Sequence, residues 1–119
     1  MASLLSEIRQ LVSTASSLES LQKGIVEILS QHLSYYSWVG FYMLDMKDPG
    51  TLVLGPFVGA PTPHVRISVS TGICGAAAAS VETVIVDDVN KDSRYLSCSI
   101  ETRSEIVVPI HAHGTVVGE

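Results

Sequence analysis

A chain of 119 residues, 46% hydrophobic and 16% charged, has enough apolar material for one core and too little length for two, since domains commonly run about 100–150 residues. Twelve acidic residues against seven basic ones leave a net charge of −5, and the positive side chains are scattered. Nucleic acid and anionic membranes, which require concentrated positive charge, are therefore not expected partners.

The first ten residues set Glu7 and Arg9 among apolar positions without the basic and long apolar segments of a secretion signal, and no stretch approaches the ~20 apolar residues of a membrane span. A cytoplasmic, water-soluble protein is expected. Its two cysteines, Cys74 and Cys98, are too few for a disulfide framework.

In chain order, Leu4, Leu5, Ile8, Leu11 and Val12 recur at helical spacing and predict an amphipathic helix over 2–14. Ser16 and Glu19 stand at capping-box spacing before a second apolar stripe, which predicts a helix over 17–34 with Gly24 as a weak point. From Tyr35 the texture turns aromatic and β-favouring. A strand, a turn at Asp48-Pro49-Gly50 and a second strand over Thr51–Leu54 follow. The Gly- and Pro-rich run 55–63 reads as a shaped loop, and residues 64–69 alternate as a half-buried strand does.

Gly72-Ile73-Cys74-Gly75 opens an alanine-rich short helix, and Val84-Ile85-Val86 reads as a short buried strand. The polar stretch 90–103 is a long irregular loop of the kind that often carries function. A final hairpin turns around Gly114, and its last strand is expected to lie exposed at a sheet edge. Two helices, about six strands and a helix with a long loop inserted midway make an α+β domain.

A thiol reacts as its thiolate, which a helix N-terminus or a nearby cation favours. Cys74 lies beside a predicted helix start, where it also reads as a small buried hydrophobe. Cys98 lies in a polar loop between Arg94 and Arg103. His111 and His113 share a strand face unless a bulge intervenes, but the pattern places no third ligand beside them, so no metal site is expected. His32 is expected on the core-facing side of the second helix, and His64 has no motif around it. No nucleophile elbow and no phosphate-binding loop occur. Trp38 and Tyr42, four apart, fall on one face of a regular strand, as core aromatics or as ligand contacts.

In order, Trp38-Val39-Gly40-Phe41-Tyr42, the run from Thr51 through Gly55-Pro56-Phe57 to Gly59, Val65-Arg66-Ile67, Gly72-Ile73-Cys74-Gly75, Asp88-Val89, Cys98 and Ser104-Glu105-Ile106-Val107-Val108-Pro109 resemble a GAF domain. Within that superfamily they resemble the free methionine-(R)-sulfoxide reductases, over about residues 35 to 118. The resemblance implies one GAF domain over residues 1–119. Its central antiparallel sheet would carry the N-terminal helices on one face and a helix and loop insertion over the other.

It also implies that the Cys98 thiolate attacks the sulfur of free methionine sulfoxide and is left as a sulfenic acid, that Cys74 then forms a disulfide with it, and that thioredoxin, as external reductant, restores both thiols. No bound cofactor is implied. Glu105 would bind the substrate's amino group or help to protonate the departing oxygen, with Trp38 and Tyr42 walling the methylthio end and Ile85 and Asp88 completing the substrate contacts. A homodimer is expected.

Two departures from the family pattern stand out. His64 occupies the place of a further cysteine before Val65-Arg66-Ile67, and the family's Asp-x-Asp pair and closing helix lie past the equivalent of Gly118. The chain is therefore read as lacking the last strand segment and C-terminal helix of its family. A non-catalytic GAF module that binds a small molecule in the same pocket is the alternative reading.

Overall fold

Ser17 ends the first connection by entering the second helix with extended backbone (φ −153°, ψ 162°), and its Oγ accepts the Ser20 N–H at 3.1 Å. The cap thus sits one residue later than the Ser16–Glu19 spacing suggests, because Ser17 is the residue whose hydroxyl reaches an orphan amide. The structure is a computed structural model and describes residues 2–69, 71–91 and 104–119. Its contacts group into two compact units, Met1–Phe41 with Gly55–Ala60, and Tyr42–Leu54 with Pro61–Glu119.

The first unit holds α1 (Ala2–Thr14) and α2 (Leu18–His32). Leu4 and Val26 are buried, and full burial of a side chain such as Val26 contributes roughly 1.5–3 kcal/mol. Gly24, a weak point by helix propensity, is explained by packing: a Cβ there would overlap the Leu11 δ-carbons of α1. His32 is not core-facing as the periodicity suggested. It lies at the exposed end of α2, where its Nε2 meets the Glu7 carboxyl group of α1.

Strands β1 (Val39–Asp45) and β2 (Asp48–Val58) run through both units. The turn between them falls at Met46-Lys47, before the expected Asp48-Pro49-Gly50, with Asp45 Oδ1 accepting the Lys47 N–H at 2.9 Å. β2 continues to Val58, through part of the run taken for a shaped loop. Pro56 is tolerated because its nitrogen lies two residues beyond Leu54, whose N–H makes a bond to Val65 O at 2.8 Å just before β3 (Arg66–Ser68) begins.

Opposite β2, β3 pairs Leu52 with Ile67, both buried. α3 (Gly72–Ser80) follows, and Gly75 lets it close onto the preceding strand: a Cβ there would stand 2.7 Å from Ser68 O and 3.0 Å from Val69. β4 (Val84–Val86) and β5 (Glu105–Val107) form a separate two-stranded antiparallel sheet, with Ile73, Val86 and Val89 buried between it and α3. β4 is not buried throughout. Val86 points inward while Ile85, paired with Ile106, is 68% exposed.

β6 (Ile110–Ala112) and β7 (Thr115–Gly118) turn at His113 (φ 53°) and Gly114 (φ 78°), the two positive-φ positions of a tight hairpin. A register shift lies between Ile110 and His111, so His111 stands on the strand and His113 in the turn. Among the described residues the main sheet has the order β3-β2-β1-β7-β6. The last strand is therefore not an edge. β7 inserts between β1 and β6, with Met43 opposite Gly118, and the short, bulged β6 takes the edge instead.

Candidate functional site

Glu119 continues β7 by a reciprocal pair of main-chain bonds to Tyr42, N–H to O at 2.8 Å and O to N–H at 2.9 Å. Gly118 makes this close approach possible, since a Cβ there would collide with the Met43 sulfur and stand 2.7 Å from Tyr42 O. The strand carries the Glu119 carboxyl inward, where the residue is 8% exposed.

Two titratable side chains meet it. Cys74, in the first turn of α3 and half-buried, brings its thiol near enough to favour the ionised form of the carboxyl. Glu105, the first residue of β5, is half-buried opposite Val86 and adds a like charge.

Burial pushes the Glu119 carboxyl up to about 7, and the neighbouring charge of Glu105 pushes the same way, while the Cys74 thiol opposes both by favouring the ionised form. Among the described residues neither Glu119 carboxyl oxygen has a hydrogen-bond partner. The arrangement joins a nucleophilic atom to a carboxyl group that exchanges its proton near neutral pH.

Tyr42, on β1, is 4% exposed, and its Oη donates to the main-chain carbonyl of His64 at 2.6 Å. His64 N–H in turn donates to Thr62 Oγ1 at 3.1 Å. Tyr42 thus holds the 61–64 segment through a main-chain atom. Asp88 lies on the surface with its carboxylate 3.9 Å from the Lys91 ammonium, and Ile85 is on the exposed side of β4.

Trp38 belongs to the first unit. Its Nε1 donates to Ala60 O at 3.2 Å, and its ring stacks on Phe57 with centroids 5.6 Å apart. Gly40 and Gly59 make room for the indole, since a Cβ at either would press into it. Cys98 lies outside the described residues. Among the described residues no group of three or more His, Cys, Asp or Glu side chains is arranged to hold a metal ion, and no helix is long and apolar enough to cross a membrane.

The structure therefore brings Cys74 and Glu105 together and adds Glu119, which the sequence analysis did not single out. Its signal was a carboxylate directly continuing the apolar run Thr115-Val116-Val117-Gly118.

The family model described as GAF domain matches residues 17–118. The free methionine-R-sulfoxide reductase of Saccharomyces cerevisiae is 47% identical over 74 residues, covering 62% of this chain and 41% of that protein. The free methionine-R-sulfoxide reductase of Escherichia coli is 36% identical over 91 residues, covering 76% of this chain and 53% of that protein. The chain thus spans about half the length of these two relatives. The X-ray structure of free methionine-R-sulfoxide reductase from Neisseria meningitidis in complex with its substrate superposes with a TM-score of 0.90 at 34% identity, covering 97% of this chain and 67% of that one.

Proposed function

The chain belongs to the GAF domain family and is related to the free methionine-R-sulfoxide reductases, and on that premise we propose that it serves the thiol-dependent reduction of free L-methionine-(R)-sulfoxide. The Cys98 thiolate attacks the sulfoxide sulfur, the oxygen is transferred with uptake of a proton, and methionine leaves a Cys98 sulfenic acid behind. Cys74 condenses with it to a disulfide, with loss of water, and thioredoxin reduces that disulfide by exchange. The net change is sulfoxide plus two thiols to thioether, disulfide and water.

The observation that supports this reading is the meeting of the Cys74 thiol with Glu105 and Glu119. Sulfoxide reduction consumes protons as well as electrons, and the cluster supplies a thiol and a carboxyl group that gives up its proton near neutrality. In this reading Glu105 binds the substrate's ammonium or protonates the departing oxygen. Trp38, Tyr42, Ile85 and Asp88 form the remaining substrate contacts, no cofactor is bound, and the protein works as a cytoplasmic homodimer. Only two cysteines serve the cycle, because His64 stands where the family pattern has another.

A second reading, a GAF module that binds a small molecule without turnover, is favoured by that same His64, whose main chain is engaged by Tyr42 and Thr62. The experiment separating them supplies each epimer of free methionine sulfoxide with thioredoxin, thioredoxin reductase and NADPH. Oxidation of NADPH with the R epimer alone, abolished by Cys98→Ser, is the expected result. Saturable binding of the R epimer without methionine release selects the binding module.

A further inference from the structure

We draw no further inference here: the strongest candidate, the side-chain cluster of Glu105 on β5 and the buried Glu119 just past β7, belongs to the site already described.

Discussion

The phenolic Oη of Tyr42 donates to the main-chain carbonyl of His64 at 2.6 Å, a bond between residues twenty-two apart in sequence. It fixes the segment that leads into β3 against the central strand of the sheet, so a residue expected to face a ligand also has a structural duty. Tyr42→Phe keeps the ring and removes the donor. The carbonyl is part-buried, so losing its partner costs about 1 kcal/mol. Urea unfolding should show a lower midpoint with an unchanged slope, and an unchanged midpoint would mean that the bond contributes nothing net.

Gly75 and Gly114 should respond differently to alanine. At Gly75 a Cβ meets backbone atoms of Ser68 and Val69 at 2.7 and 3.0 Å. α3 must then move off the strand, costing about 1–3 kcal/mol and exceeding the ~1 kcal/mol gained in helix propensity. At Gly114 nothing lies within 4 Å, and only φ +78° resists, for about 1–2 kcal/mol. Thermal unfolding separates the causes: replacement of Gly114 by Asn, which tolerates that conformation, should recover most of its loss, whereas no L-residue is expected to do so at position 75.

Glu119 predicts an inverted pH dependence. Its folded value of about 7 lies above the ordinary 4.5, so the folded state binds more protons than the unfolded one between these values, and the carboxyl's contribution to stability declines as pH rises through that window. The full difference corresponds to at most about 3 kcal/mol at pH 8. Denaturation of Glu119→Gln at several pH values should show this decline removed and the variant more stable than the parent above neutrality. An identical slope in both proteins would disprove the burial argument.

Cys74→Ser separates the two chemical halves of the proposed cycle. Methionine should form in stoichiometric amount with the R epimer and then stop, with a sulfenic acid trappable by dimedone and no thioredoxin-supported turnover. Continued turnover with thioredoxin would show that another group resolves the intermediate.

Much of the architecture was legible locally. The apolar spacing of Leu4, Ile8 and Leu11 produces α1, and Gly72-Ile73-Cys74 followed by small residues produces α3, because helix formation depends on neighbours three and four apart. The pairing of Cys74 with Glu105 in one site came from a resemblance between ordered motifs.

Composition and periodicity alone determined the helices and the short strands. They did not place β7 between β1 and β6, carry β2 through Pro56, or bring the Glu119 carboxyl near the Cys74 thiol. Those outcomes depend on which strand supplies hydrogen bonds to Tyr42, and on which carboxylates lose water together. Both are set by contacts between residues tens of positions apart, whose energies no local window of sequence contains.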